Sequence, residues 1–197
     1  MKIVLFDFDG TLTKRDTLFA FIEHAKGKTT FWIGLLILLP WLVLHKFGIL
    51  SSQKTKEKVL SYFFKGMEIS VFDNLCSSFI LKIDQLIRPQ AIKKIKLYNQ
   101  QNARLVIVSA SIENWIKPWA AQQNLTVIAT RLEVVDEKIT GRIYGKNCNG
   151  VEKVNRIKNE IDLSHFDTII AYGDTPGDLP MLKLATEKYF KPFRSLT

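Results

Sequence analysis

The sequence predicts an α/β protein: a parallel sheet with helices on both faces, interrupted near its start by an all-helical insertion. Three observations lead there. Short, almost wholly apolar runs recur at residues 3–6, 104–108 and 168–172, as strands buried on both faces require. Helical periodicity fills the intervals between them from residue 90 onward. Residues 14–88 carry helical patterning alone.

The first strand spans residues 2–6 and stops at Asp7-Phe-Asp9-Gly10-Thr11. Asp16 or Thr17 caps a helix that Gly27 closes. Residues 31–44 hold no charge, and an apolar run resumes at 47–50 after His45 and Lys46. Those 14 residues reach only ~21 Å as a helix, short of the ~20 residues a membrane span takes. Pro40 is expected to kink or split the segment. A plain spanning helix is therefore not favoured. Two readings stay open, a helix buried within the insertion and an apolar hairpin dipping into a bilayer surface beside Trp32, Trp41 and the following lysines. Residues 51–66 form a basic amphipathic helix, and 70–86 give a further helix, with Val71, Leu75, Phe79, Ile83 and Leu86 at helical spacing. Arg88-Pro89 ends the insertion.

Next come a helix to about residue 101, a strand at 104–108 ending at Ser109-Ala110-Ser111, and a helix at 112–123. A strand follows at 126–130, then a hairpin of 132–135 with 139–144. The last elements are a helix at 151–161, a strand at 168–172 ending at Gly173-Asp174, and a helix near 179–184. The organisation is thus a core of 1–13 and 89–197 with an inserted cap of 14–88.

The chain has 197 residues, 47% of them hydrophobic, enough to bury a real core. Cys76 and Cys148 are far apart and form no metal spacing, so a reduced, cytoplasmic setting is expected. Acids within the first ten residues exclude a secretory signal. The net charge of +9 fits an anionic substrate or an anionic membrane surface, and nothing resembles a nucleic-acid module.

Ligands of such sheets sit at the carboxyl ends of the strands, where Asp7, Ser109 and Asp174 all fall. Asp7 and Asp9, two apart, project the same way if the chain is extended, and paired carboxylates are tolerated mainly around a cation or a shared proton. A hairpin turn, a calcium loop and an ordinary solvated strand end are the competing readings of this motif. No alternating strand follows Gly10, and Leu12 and Thr13 do not fit a calcium loop. Asp7, Asp9 and Asp174, without His or Cys, make a hard-oxygen set suited to magnesium, which takes part of its shell from phosphate. Ser109, with the neighbouring N–H groups, can hold an anion, and Lys153 in the first turn of its helix can project toward the strand ends. Asp7 can attack phosphorus, and Asp9 can protonate the leaving oxygen and later activate water.

These four motifs, in this order, resemble those of the haloacid dehalogenase superfamily, and within it the phosphoserine-phosphatase-like branch. They are Asp7-Phe-Asp9-Gly10-Thr11, Ser109, Gly150-Val-Glu-Lys153, and Gly173-Asp174-Thr-Pro-Gly-Asp178. The resemblance implies a Rossmann-like core with a helical cap, and a magnesium-dependent phosphatase working through an aspartyl-phosphate. It further implies that Asp7 is the nucleophile and Asp9 the acid/base. Asp7, Asp9 and Asp174 would bind magnesium, one of the first two through its backbone carbonyl, and Asp178 would support them. Ser109 and Lys153 would bind phosphate, with Gly10, Thr11 and Ala110 beside them. In phosphoserine phosphatases a cap Glu and a cap Arg read the amino acid. Here those positions are Asp16 and one of Lys54, Lys56 and Lys58, so the substrate departs from phosphoserine. The apolar cap stretch and Cys148-Asn-Gly-Val-Glu-Lys153 are similar to the C-type phosphatidylglycerophosphate phosphatase. That likeness implies a lipid phosphate, with residues 31–50 at the inner face of a membrane, as the alternative to a small phosphorylated molecule. A non-catalytic membrane-binding protein that keeps only the fold is a third reading, and the intact Asp7/Asp9 pair argues against it.

Overall fold

The computed structural model describes residues 1–194. Six strands form one sheet in the order β4-β3-β2-β1-β5-β6. They are β1 (Lys2–Phe6), β2 (Arg104–Ile112), β3 (Thr126–Val135), β4 (Lys138–Tyr144), β5 (Thr168–Gly173) and β6 (Glu187–Phe190). All neighbours pair in parallel except β3 with β4. The helices are α1 (Thr17–Lys26), α2 (Lys28–Lys46), α3 (Ser52–Phe64), α4 (Ile69–Ser78), α5 (Ile80–Leu86), α6 (Pro89–Gln100), α7 (Glu113–Gln122), α8 (Val151–Glu160) and α9 (Leu179–Leu182).

The alternation of a pleated strand explains the two layers. Along β1, Ile3 and Leu5 join an apolar cluster with Ile157 of α8 and Met181 and Leu182 of α9. Val4 and Phe6 face the opposite side, with Ile95 and Tyr98 of α6 and Trp115 and Trp119 of α7. The strand order reverses at β1, with β2 on one flank and β5 on the other, and this opens the crevice where such sheets bind ligands.

Beyond β1 the chain makes a wide turn over Phe8–Leu12, and Gly10 sits at φ +79°. It then enters the five helices α1–α5 and returns beside its point of departure. Lys14 N–H donates to the Leu86 carbonyl at 2.8 Å, and Arg88 N–H to that of Leu12 at 2.8 Å. Arg88 Nε also donates to the Thr13 carbonyl at 3.1 Å, pinning the turn from the return strand.

Several elements differ from expectation. α2 is one continuous 19-residue helix, with Pro40 inside it. Pro40 and Leu36, one turn earlier, are both exposed, so the carbonyl deprived of its partner lies on the solvent side. Only Phe31, Gly34 and Leu38 of α2 are buried, which removes the buried-helix reading. The 70–86 segment divides at Phe79 into α4 and α5. β3 runs unbroken through Arg131, pairing with β2 first and β4 afterwards. The edge strand β6 was not expected, because its residues are all exposed and carry no apolar face to signal it.

Candidate active site

The carboxyl ends of β1, β2 and β5 each contribute a group. Asp7 follows β1, its N–H held by the Tyr172 carbonyl of β5 at 2.9 Å. Lys153 lies in the first turn of α8, is buried, and donates from Nζ to Asp7 Oδ1 and Asp178 Oδ1, both at 2.6 Å, and to the Val108 carbonyl at 2.8 Å. One ammonium thus spends its three hydrogens on two carboxylates and a strand-end carbonyl.

Asp178 Oδ2 accepts from the backbone N–H groups of Asp174 (3.1 Å) and Thr175 (2.9 Å) and from Thr175 Oγ1 (2.8 Å). With every acceptor engaged, Asp178 acts as a brace for Lys153 and the β5 loop. Asp174 accepts from Thr11 Oγ1 at 3.2 Å and from Arg194 Nη2 at 3.1 Å. Gly10 is required here. A Cβ on it would lie 2.4 Å from Asp174 Oδ2, and its φ is one that L side chains rarely adopt.

Asp9 is oriented differently from Asp7. β1 ends at Phe6, so the two acids do not share an extended strand. Asp9 Oδ1 accepts from the Thr17 N–H of α1 at 2.7 Å, and Oδ2 accepts from Ser111 Oγ. Its carboxylate therefore faces α1 and the end of β2, while Asp7 faces Lys153.

The electrostatics follow from burial. Removal from water pushes Asp7 up to about 6, against the pull of Lys153. Burial, and then Asp16, pushes Asp9 up to about 7, while Ser111 and Thr17 hold it down. Burial disfavours the charged Lys153, but Asp7 and Asp178 outweigh that and hold it above the usual lysine value. For Asp178 burial is likewise outweighed, by Lys153 and the Thr175 donors, and its carboxyl lies below its usual value. Asp174 is raised by burial and by Asp178.

A cavity of about 290 Å³ joins these groups to the insertion. Asp7, Asp9, Ser109, Ala110, Lys153 and Asp178 line it from the core, and Asp16 and Lys56 from the helices. A larger hollow of about 790 Å³ between β3–β4 and α8 contains none of them.

One carboxylate oxygen from each of Asp7, Asp174 and Asp178 lies within 4.8 Å of the others. Of these, Asp7 and Asp174 offer the hard oxygens that fit magnesium, while the Asp178 carboxylate is spent on Lys153 and the loop after β5. The Asp9 carboxylate is committed to Thr17 and Ser111 and leaves its backbone carbonyl to offer, the mode that the resemblance implies for one of Asp7 and Asp9.

Of the three candidate lysines, Lys56 reaches the cavity, and Lys54 and Lys58 are exposed on the outer side of α3. Asp16 lines the cavity and also caps α1, accepting from Leu18 N–H at 2.7 Å. Ser109 is buried and is not a helix cap. Its Oγ accepts from Ser111 N–H at 3.0 Å, and β2 continues to Ile112 before α7 begins. Ser111, Thr17 and Asn147 were missed. Ser111 had a signal, standing two residues beyond Ser109 on the same side of an extended chain. Thr17 and Asn147 had none beyond their place beside known motifs.

A buried lysine clamped between two aspartates at the carboxyl ends of a parallel sheet, with a third aspartate beside them, defines a class of hydrolytic enzyme. The family model for haloacid dehalogenase-like hydrolases matches residues 4–183, and the chain belongs to that family. Protein CicA of Caulobacter vibrioides is 35% identical to it over 196 residues, spanning 98% of this chain and 86% of CicA. A crystal structure of a protein of unknown function from Bordetella pertussis Tohama I superposes with a TM-score of 0.81 at 22% identity, covering 95% of this chain and 88% of that one. A substrate-bound phosphoserine phosphatase complex superposes with a TM-score of 0.68 at 20% identity, covering 96% and 85%. These two likenesses are likenesses of fold.

Proposed function

We propose that the protein is a magnesium-dependent phosphomonoester hydrolase that works through an aspartyl-phosphate. The observation that carries this is Lys153 bridging Asp7 and Asp178 at 2.6 Å each beside Asp174, because such a cation neutralises a phosphoryl group and leaves Asp7 ionised near neutral pH. Asp7 attacks phosphorus, forming an O–P bond as the ester P–O bond breaks. Asp9, whose burial keeps it near the point of half protonation at neutral pH, gives its proton to the leaving oxygen. Asp9 then accepts a proton from water as that water attacks phosphorus. The bond to Asp7 breaks, releasing inorganic phosphate and the free carboxylate. Asp7, Asp174 and the Asp9 carbonyl would hold magnesium, which when bound offsets the charge of the carboxylates and phosphoryl oxygens. Ser109 holds the phosphoryl group, Lys153 lends it positive charge while its hydrogens stay on Asp7, Asp178 and the Val108 carbonyl, and Gly10, Thr11 and Ala110 flank it. Residues 14–88 serve as the cap over a core of 1–13 and 89–197, and they exclude water from side chemistry. The test is a phosphoester panel with magnesium, with and without chelator. Wild type is expected to turn over at least one ester, with chelator and Asp7→Asn each abolishing it. Retention by Asp7→Asn refutes the nucleophile.

One observation favours a lipid phosphate over a small soluble one. α2 is long and apolar enough to cross a membrane, and Trp32 and Leu36 within it and Phe47 just past its end are 66%, 72% and 74% exposed. Monomers rarely leave so large an apolar surface in water. Lys28 and Lys46 stand at its two ends, matching an anionic bilayer. In this second reading the enzyme sits at the inner face of a membrane through residues 31–50. Flotation with anionic liposomes at low salt tests it, and full recovery in the soluble fraction removes it.

A further inference from the structure

The helix α3 belongs to the insertion, yet it is fastened along β4 of the sheet. Gln53, Glu57 and Ser61 are four apart and so share one face. Gln53 Oε1 accepts from Asn147 N–H at 3.1 Å, Glu57 Oε1 from Ile143 N–H at 3.2 Å, and Ser61 Oγ donates to the Gly141 carbonyl at 3.2 Å. The fastening continues past the helix, where Gly66 N–H donates to the Ile139 carbonyl at 2.8 Å and Ile139 N–H to that of Met67 at 2.9 Å. Gly141 permits this approach: a Cβ there would lie 2.5 Å from Ser61 Cα.

At the site end of this seam lies Asn147, which is buried. Its Oδ1 accepts from Lys56 Nζ at 2.9 Å and lies 3.0 Å from Thr130 Oγ1. Lys56 Nζ also donates to the Ala110 carbonyl at 2.5 Å, and Thr130 Oγ1 lies 2.7 Å from the same carbonyl. Lys56, Asn147, Thr130 and Ala110 thus close a ring between the insertion and the end of β2. An ammonium has three hydrogens, and this ring takes two of the three on Lys56, a residue that lines the cavity.

We propose that Asn147 is a positioning residue that fixes the Lys56 ammonium at the cavity so that its remaining N–H meets an acceptor oxygen on the leaving group of the phosphoester. The proposal rests on the phosphatase reading. It makes Lys56 part of a preformed wall: the seam along β4 holds α3 in place before substrate arrives, so no ordering of this side chain opposes binding. The favoured substrate carries an anionic or strongly accepting oxygen close to the ester.

The experiment compares Asn147→Ala, Asn147→Asp, Lys56→Met and the Lys56→Met/Asn147→Ala double variant, in kinetics and in an NMR titration of the Lys56 ε-methylene without substrate. Asn147→Ala is expected to raise KM about tenfold, the scale of one charged hydrogen bond, with kcat within threefold. In the Lys56→Met background the same change should alter KM less than twofold, and Asn147→Asp should restore the wild-type KM. In the titration, Asp9, Asp16, Lys153 and Cys148 also act on Lys56 and stay constant across the series. Asn147→Asp should move the Lys56 midpoint up, and Asn147→Ala should displace it. An equal KM penalty in both backgrounds overturns the proposal, as does a Lys56 midpoint indifferent to residue 147. Absence of turnover of every ester by wild type defeats the phosphatase reading instead, and the titration still decides whether Asn147 holds Lys56.

Discussion

Replacing Lys153 by methionine keeps the length of the side chain and removes its charge. In the wild type its Nζ sits 2.6 Å from Asp7 Oδ1 and 2.6 Å from Asp178 Oδ1, and all three side chains are buried. The variant leaves two carboxylates facing each other with no cation between them. Removing one partner of a buried pair typically costs about 3–5 kcal/mol, a large part of the roughly 5–15 kcal/mol that holds a domain folded. The loss should depend on pH. Asp7 already sits at about 6, above its ordinary 3.8, so the folded state binds the extra proton and stability falls as pH rises from about 4 to 6. Lys153 is the main influence holding Asp7 down, so without it Asp7 titrates higher and the fall extends through neutrality. Urea denaturation of both proteins at pH 5 and pH 7.5 measures this, with the variant's deficit larger at pH 7.5. Phosphatase activity should drop at least a hundredfold, as when an electrostatic stabiliser of a transition state is removed. A variant within about 0.5 kcal/mol of wild type at pH 7.5, an error-sized change beside the expected cost, would refute the reasoning.

Gly10→Ala should raise the magnesium concentration for half-maximal activity more than tenfold, because the new Cβ displaces Asp174 and occupies a left-handed backbone that costs about 1–2 kcal/mol. An unchanged magnesium titration would contradict the close packing of Gly10 on Asp174. Burial pushes Lys56 down to about 8, against the pull of Asp16 and Asp9, so its positive charge fades as pH rises through that value. KM should therefore climb above pH 8, approaching tenfold per unit, and Lys56→Met should flatten the climb while starting from a higher KM. Serine at Trp32, Leu36 and Phe47 together should lower affinity for anionic liposomes at least a hundredfold, since each large apolar side chain buried contributes about 1.5–3 kcal/mol. Liposome binding indifferent to these three changes would place the contact elsewhere.

The amino-acid sequence by itself determined the layers and the identity of the chemical groups. Unbroken apolar runs mark strands covered on both faces, and the acids and hydroxyls that end them mark the ligand edge, because both signals are local. The same locality explains the losses: β6 buries nothing, and α2 satisfies helical geometry whether or not anything covers it. Tertiary structure alone decided which of three lysines on one helix enters the cavity. It also decided that the Asp9 carboxylate turns toward Thr17 and Ser111, and that Asn147, Thr130 and Ala110 converge on Lys56. Those choices depend on how α3 lies against β4, a pairing of segments some eighty residues apart that no local pattern encodes.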